Sequence, residues 1–426
     1  MIKIVDAQRL ELADHIRPGD RVTWGQATAE PLDLVDLLIA QRAAICKEGG
    51  KVGVFIGLPL TDTLRPEHSD FLSPLSYGAL GNCAKLLTAG VLELMPCHYS
   101  SIPLLMQSGH LGIDVVFVQI SPPGPDGTHS LGFCSDYLPA AMQKARLVIA
   151  EINENVPWSH MDQPLDADLI DFAITSSRPV ATLAVSEPGE VEQRIAQHIA
   201  GVIEDGATLQ YGVGGIPTAV LRALSDHKDL GLHSGLITED IIDLIESGVI
   251  TNAHKAVHPG VSVGAISIGG PRLKEFLHDN PAIEIHPSTS THGTPTLSRI
   301  DNLVVINSAL EVDLYGQVNA EQVGDRYLGA IGGQVDFMHA ATTAAHGLSI
   351  IAMPATTAKS GASRITDRLS GPFVTTCRTD VDMVVTEFGI ADLRGKTLEQ
   401  RARSLINIAT PDHRDRLAQT AARGDF

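Results

Sequence analysis

Short apolar runs rich in valine and isoleucine recur along this chain, and they constrain its fold more than any other feature. Glycine, proline or aspartate bounds these runs, which cover residues 51–58, 114–121, 147–153, 180–185 and 303–307. Between them lie stretches with helical spacing, for example Val191, Ile195 and Ile199 on one face. Continuous apolar strands that alternate with amphipathic helices are typical of parallel sheets covered on both faces. We therefore predict an α/β fold with mainly parallel sheets flanked by helices.

The two halves of the chain resemble each other at an offset of roughly 187 residues. Residues 17–31, RPGDRVTWGQATAEP, match residues 204–217, EDGATLQYGVGGIP. Residues 115–132 match residues 304–319 in the same register, each with a buried strand followed by a polar turn. We therefore predict two homologous domains, residues 1–187 and 188–426, that meet at the turn-forming sequence Ser-Glu-Pro-Gly.

Charge and cysteine usage exclude several classes of function. The chain carries 31 Lys and Arg against 50 Asp and Glu, and this net charge of −19 repels nucleic acid and anionic lipid. The five cysteines are far apart, and no paired-cysteine or HExxH spacing indicates a metal site. No signal-peptide core or membrane span is apparent. We predict a cytoplasmic protein with no metal and with no nucleic-acid or membrane partner.

Two glycine-rich loops and one basic segment mark the second half. The loops cover residues 210–217 and 329–337, and glycine there lets backbone N–H groups face an anion or an oxyanion. Strand-to-helix turns also need glycine where φ is positive, so this alternative stays open. The segment 356–368 carries Lys359, Arg364 and Arg368, which indicates either a phosphate anchor or a solvated surface loop.

Acyl transfer by a serine nucleophile is disfavoured, because the GxSxG pattern is absent. A carboxylate nucleophile stays open, and the candidates beside glycine or strand-end motifs are Glu239, Glu311 and Glu387. For each of these carboxylates, helix capping or solvent exposure is the default explanation. An NAD-dependent oxidoreductase is disfavoured, since no GxGxxG follows a strand.

Several longer motifs resemble one family. Residues 306–321 (INSALEVDLYGQVNAE), 332–337 (GGQVDF) and 385–395 (VTEFGIADLRG) are similar to the acetyl-CoA hydrolase/transferase family, which includes 4-hydroxybutyrate CoA-transferases. The resemblance implies two tandem CoA-transferase-type domains and a site for coenzyme A. It implies transfer of CoA from a small acyl-CoA, of the acetyl or 4-hydroxybutyryl type, to a small carboxylate through a glutamyl intermediate. It also implies a homo-oligomer, for example a dimer.

The resemblance assigns roles to individual residues. Glu387 matches a glutamate that orients and protonates groups in the site. The residues implied to hold the oxyanion or CoA are Val213, Gly214, Gly332, Gly333, Lys359 and Arg364.

One position departs from the family pattern. The nucleophilic glutamate is expected in a segment resembling LGxHSEM, and residues 230–236 here read LGLHSGL, so Gly235 stands at its place. Three residues remain as catalytic alternatives: Glu239 as a relocated nucleophile, and Glu387 or His292 as a general base on water. The alternatives to transfer are therefore hydrolysis without a covalent intermediate, a CoA-binding homologue that has lost catalysis, and a mixed assembly whose partner supplies the nucleophile.

Overall fold

The computed structural model describes residues 2–183 and 187–422. The strands, in chain order, are β1 (Arg21–Trp24), β2 (Val52–Ile56), β3 (Leu72–Ser76), β4 (Glu93–Leu94), β5 (Val115–Ile120), β6 (Leu147–Asn153), β7 (His160–Met161), β8 (Phe172–Ser176), β9 (Thr208–Tyr211), β10 (Gly231–Thr238), β11 (Ser262–Ile268), β12 (Ile283–Ile285), β13 (Leu303–Asn307), β14 (Glu311–Asp313), β15 (Val318–Asn319), β16 (Gln322–Val323), β17 (Arg326–Tyr327), β18 (Leu348–Ala352), β19 (Ile365–Thr366), β20 (Met383–Thr386) and β21 (Gly389–Asp392).

The α-helices, in chain order, are α1 (Leu32–Ile45), α2 (Cys83–Thr88), α3 (Ser101–Ser108), α4 (Leu138–Lys144), α5 (Glu190–Ala200), α6 (Gly215–Ala223), α7 (Asp240–Glu246), α8 (Pro271–Leu277), α9 (Ser288–Thr291), α10 (Thr294–Leu297), α11 (Gln334–Thr343), α12 (Leu398–Asn407) and α13 (Pro411–Ala422). Short 3-10 helices cover Ala7–Arg9, Leu12–Asp14, Ala27–Ala29, Pro66–Asp70 and Ala167–Leu169. No helix in the described part of the chain is long and apolar enough to span a membrane.

Four of the five predicted apolar runs contain strands, namely β2, β5, β6 and β13. The fifth prediction is wrong for the residues that the structure describes, because residues 180–183 form no strand. The remainder of that run lies outside the described residues. Pro179 lacks an N–H to donate to a neighbouring strand. The backbone just before it is already bonded to side chains, since Asn153 Nδ2 donates to Arg178 O at 2.9 Å. The strand β8 lies immediately upstream instead.

The chain forms two compact units. The first comprises the described residues up to 183, together with Leu236–Glu239 and Val263–Thr291, and the second comprises the other described residues. Each unit has its own apolar core, built around β1, β2 and β5 in the first and around β13, β18 and β20 in the second. These units are discontinuous in sequence, whereas the predicted domains are continuous. The predicted division into residues 1–187 and 188–426 therefore stays a prediction.

The repeat that the sequence predicts is present in the strand order. In the first unit the parallel strands lie in the order β2-β1-β5-β6-β8, and in the second unit β10-β9-β13-β18-β20 lie in the corresponding order. The loops after β1 and β9 also agree, since Ala27 and Gly214 occupy matching places and both have positive φ, +54° and +134°. The strand order reverses at β1 in the first unit and at β9 in the second. Open α/β sheets bind ligands at the carboxyl ends of the strands where the order reverses.

Candidate active site

The loop after β9 opens helix α6 in the second unit. Gly214 precedes the helix with φ of +134°, a conformation that L side chains rarely adopt, and a Cβ built there would meet nothing within 4 Å. Val213 and Gly214 are half-buried. This loop therefore leaves open space in front of its backbone at the carboxyl end of β9, as the predicted oxyanion role requires. The role itself stays a prediction.

The second glycine loop meets β10 at the side chain of His292. A Cβ built on Gly235 would lie 2.8 Å from His292 Nε2, and one built on Gly333 would lie 2.5 Å from the same atom. Phe337 packs edge-on against the imidazole, with ring centroids 4.8 Å apart. Neither glycine has positive φ, so it is the imidazole rather than the backbone that excludes side chains from both positions.

His292 is held as a neutral imidazole. The residue is only 4% exposed, and burial lowers its pKa to about 3 because a charged ring would lose its hydration. At neutral pH the ring therefore carries one N–H donor and one basic nitrogen. Because so low a pKa makes that nitrogen a weak base, the structure favours hydrogen bonding over proton abstraction for this side chain.

The stretch of β10 that leads to Gly235 is fixed by two side chains. The N–H of Leu232 donates to Asn252 Oδ1 at 2.8 Å, and its carbonyl accepts from Lys255 Nζ at 2.8 Å. Both Asn252 and Lys255 are buried. These bonds hold the strand three residues before Gly235, so the backbone at the expected nucleophile position is well defined.

A second group of predicted residues meets at the carboxyl ends of β18 and β20. Glu387 follows β20 directly, and its Oε2 accepts the N–H of Ala355 at 2.8 Å. The backbone N–H of Arg364 donates to Ala355 O at 2.9 Å, and the Arg364 guanidinium lies close enough to Glu387 to feel its charge. Burial lowers the pKa of Arg364, and its Nε is buried without a hydrogen-bond partner. The structure therefore brings Glu387 and Arg364 together, and the roles that the resemblance implies for them stay predictions.

Lys359 lies on the exposed loop between β18 and β19. The N–H of Gly361 donates to Thr357 O at 3.0 Å, and the N–H of Thr357 donates to Ala362 O at 2.9 Å, so the loop is a closed turn. Gly361 has φ of +65°, which this turn requires. The exposed ammonium is available to a phosphate of CoA, and that contact stays a prediction.

Glu239 is engaged elsewhere in the first unit. Its Oε1 accepts the N–H of Gly270, the residue that precedes helix α8. A carboxylate there caps the helix and is favoured by the helix dipole. The position thus has a structural explanation, and a nucleophilic role for Glu239 remains only a prediction.

Sequence reasoning missed a buried polar cluster in the first unit. Gln26, in the loop after β1, donates through Nε2 to Asp136 and to the Tyr99 hydroxyl. Asp136 is 1% exposed, and burial raises its pKa to about 7. The repeat offered one signal, because Gln26 matches Val213 in the second half and so occupies the corresponding position at a carboxyl strand end.

The doubled parallel topology and the glycine loops at its strand ends define a CoA-transferase-type α/β protein. The model of the acetyl-CoA hydrolase/transferase N-terminal domain matches residues 3–183, and that of the C-terminal domain matches residues 269–421. The chain belongs to this family.

Individual relatives agree with the family match. The 4-hydroxybutyrate coenzyme A transferase of Clostridium kluyveri is 37% identical over 97% of this chain and 96% of its own length. The succinyl-CoA:cyclohexane-1-carboxylate CoA transferase of Geobacter metallireducens is 38% identical over 97% of this chain and 94% of its own length. The crystal structure of RipA from Yersinia pestis superposes with a TM-score of 0.92 at 31% identity, covering 99% of this chain and 97% of that one.

Proposed function

We propose that this protein transfers coenzyme A from a small acyl-CoA to a carboxylate, and that the acceptor attacks the thioester without a glutamyl intermediate at position 235. The observation that carries the proposal is that Gly235 has no side chain to be acylated, and that a Cβ at this position would lie 2.8 Å from His292 Nε2, so the imidazole occupies the adjoining space. Family membership and the CoA-transferases among the relatives support the substrate classes.

The transfer balances without a nucleophile from the enzyme. One oxygen of the acceptor carboxylate attacks the carbonyl carbon of the acyl-CoA, and the C–S bond breaks to give CoA thiolate and a mixed anhydride. The thiolate then attacks the carbonyl carbon of the acceptor, and the C–O bond breaks to release the donor as a carboxylate. No proton is gained or lost, so the reaction needs positioning and oxyanion stabilisation rather than a base.

The state of His292 supports a carboxylate nucleophile over water. Water must lose a proton as it attacks, and a base works best with a pKa near the operating pH. The pKa of His292 is about 3, which makes the imidazole a poor proton acceptor at neutral pH. A neutral imidazole still offers one N–H to a developing oxyanion, and we assign this role to His292.

The other predicted residues complete this arrangement. Val213 and Gly333 supply backbone N–H groups, and Gly333 immediately precedes helix α11, whose amino end favours negative charge. Lys359 and Arg364 bind the phosphates of CoA. Glu387, whose carboxylate accepts the N–H of Ala355, orients the reacting groups in the site. The oligomeric state and the cellular compartment stay predictions of the sequence.

Hydrolysis of an acyl-CoA is a second candidate, favoured by one feature of the same imidazole. Its Nε2 lies 2.8 Å from the place where a side chain at position 235 would begin, so an imidazole nitrogen stands at the expected nucleophile position. His292→Gln separates the two candidates, because glutamine keeps an N–H donor but has no basic nitrogen. Transfer should survive this change within about tenfold, whereas hydrolysis that depends on the base should be lost.

The test measures initial rates while acyl-CoA and acceptor are both varied. Acetyl-CoA, butyryl-CoA and 4-hydroxybutyryl-CoA serve as donors and acetate or butyrate as acceptor, with exchanged thioester and free thiol followed separately. Intersecting double-reciprocal lines are expected, since donor and acceptor must be bound together. Parallel lines would show a covalent enzyme intermediate, thiol release without exchange would show a hydrolase, and neither product would show a CoA-binding homologue.

A further inference from the structure

A cavity lies within the first unit, and none of the described residues that line it is assigned a role in CoA transfer. Its volume is about 300 Å³, at the small end of the roughly 300–1,000 Å³ that ligand pockets have. The walls come from α3, from the loop between β5 and α4, from α4 itself, from the segment between β7 and residue 169, and from the residues around the start of α9. The cavity is therefore a candidate site for a small molecule.

The charged residues on the walls all have the same sign. Among the described residues that line the cavity, the charged ones are Asp136, Asp162 and Asp166, and none is lysine, arginine or histidine. Asp162 and Asp166 are exposed, whereas Asp136 is only 1% exposed. A phosphate or a carboxylate would meet only negative charge in this cavity. Neither CoA nor a carboxylate acceptor suits such walls, which favour a cation.

Two buried oxygen atoms of the wall residues lack hydrogen-bond partners. Asp136 Oδ1 and Ser135 Oγ are shielded from solvent, and neither has a partner within residues 2–183 and 187–422. The backbone fixes both residues, since the N–H of Ser135 donates to Ala265 O at 3.1 Å and the N–H of Ser288 donates to Asp136 O at 2.9 Å. A buried polar atom without a partner costs free energy, so a ligand with N–H donors would be stabilised here.

The described neighbours of Asp136 are neutral groups. Its Oδ2 accepts from Gln26 Nε2, and the Cys134 Sγ lies 3.9 Å from the same oxygen. Burial raises the pKa of Asp136 to about 7, because an ionised carboxylate loses its hydration there. Burial also raises the pKa values of Cys134 and Tyr137, which therefore stay uncharged at neutral pH. A cation in the cavity would supply the charged partner that stabilises the ionised carboxylate.

The remaining wall is largely apolar, and its apolar side chains include those of Leu131, Met142, Met161, Leu165 and Leu169. Ca²⁺ and Mg²⁺ take about six or more oxygen ligands, whereas the two unpartnered oxygens here share a cavity with methylene and thioether groups. An organic cation fits this combination better than a metal ion does. Thioethers also pack favourably against aromatic rings.

We propose that this cavity binds a small organic ammonium ion. Its N–H groups donate to Asp136 Oδ1 and Ser135 Oγ, and its apolar body packs against Met142 and Met161. Asp162 and Asp166, at the exposed part of the wall, attract the cation from solvent.

The test is calorimetric titration of the full chain with benzylammonium, and in parallel with benzyl alcohol, which has the same ring and a neutral head group. Benzylammonium should bind, and benzyl alcohol should bind about tenfold more weakly or worse, because it cannot pair with an ionised carboxylate. Asp136→Asn should weaken benzylammonium binding about tenfold or more through loss of a charged hydrogen bond, and it should leave benzyl alcohol binding unchanged. Asp168→Asn is the matched control, since Asp168 is exposed and lies outside the cavity wall, and this change should leave both affinities unchanged.

A second variant keeps the test decisive if Asp136→Asn fails to fold. Gln143 is an exposed wall residue on α4, and Gln143→Lys places a competing ammonium at the cavity. This change should weaken benzylammonium binding about tenfold, whereas Asp168→Asn, which raises the net charge by the same amount, should not.

Four results would overturn the proposal. Benzyl alcohol binds as tightly as benzylammonium, neither compound binds at millimolar concentration, or the variant that folds leaves the affinity for benzylammonium unchanged. The fourth is displacement of benzylammonium by Mg²⁺ but not by Na⁺ at the same ionic strength, since the cavity would then hold a metal ion. None of these titrations contains acyl-CoA, so their failure would leave the proposed CoA transfer untouched.

Discussion

Replacing Gly235 by glutamate should not by itself create the glutamyl enzyme that the family pattern predicts. The new Cβ would lie 2.8 Å from His292 Nε2 and 2.9 Å from Cε1, whereas ordinary contacts begin at about 3.4 Å. Phe337 packs against the other side of the ring and restricts its retreat. Overpacking of this kind costs typically about 1–3 kcal/mol. Gly235→Glu should therefore lower the melting temperature and show no CoA adduct.

The double variant Gly235→Glu with His292→Ala should behave differently. Removing the imidazole frees the space above both Gly235 and Gly333, so the glutamate side chain can enter it. We expect the double variant to be more stable than the sum of the single changes predicts, by about 0.5–3 kcal/mol, as for residues in contact. Intact-mass spectrometry after incubation with acetyl-CoA should then detect a CoA thioester that hydroxylamine removes.

His292→Ala alone is the matched control, because it opens the same space without adding a carboxylate. The reasoning is refuted if Gly235→Glu alone forms the adduct as readily as the double variant. It is also refuted if the two changes prove additive in melting experiments, since the contact between positions 235 and 292 would then not exist in solution.

Three further predictions follow from other parts of the molecule. Glu387→Gln should lower turnover at least tenfold with little change in melting temperature, and the reverse pattern would make Glu387 a structural residue. Lys359→Ala should weaken CoA binding by about 1.5–3 kcal/mol through loss of a charged hydrogen bond, and unchanged affinity by calorimetry would contradict this. Burial raises the pKa values of Glu30, Asp136 and Glu151 to about 7, so the folded state keeps protons that the unfolded chain releases at lower pH. Stability from these groups is then fully present below their unfolded pKa values and is lost as pH rises to about 7. The melting temperature should therefore fall between pH 5.5 and 8. Glu30→Gln should flatten this dependence of the melting temperature on pH.

The parallel sheets could be predicted because their strands are continuous apolar runs, a local signal. The strands β5 (115–120) and β13 (303–307) lie inside predicted apolar runs. The predicted repeat places these two strands at equivalent positions in the two sheets. The run 180–185 misled because hydrophobicity alone does not reveal that Asn153 binds the backbone beside Pro179. Such a bond joins residues far apart in sequence.

The sequence shows that Gly235 stands where the family pattern has a glutamate, but it does not show which side chain fills the space around this glycine. His292 lies 57 positions further along the chain, and nothing local indicates that its ring packs between Gly235 and Gly333. Residues four apart on a helix share a face, so the spacing of Gly333 and Phe337 indicates that both lie on one side of the chain at the start of α11. The weak basicity of His292 also depends on burial, which only the folded chain supplies.

The central claim is that an acceptor oxygen passes directly to the donor acyl group. It is tested most directly in a single turnover, with enzyme in excess over acyl-CoA and with an acceptor carboxylate labelled with ¹⁸O. Direct attack predicts that the released donor carboxylate carries one ¹⁸O atom, because the bridging oxygen of the anhydride comes from the acceptor. A donor carboxylate without ¹⁸O, with the label retained on the protein, would show a glutamyl intermediate and contradict the account, as would a donor carboxylate that carries solvent oxygen.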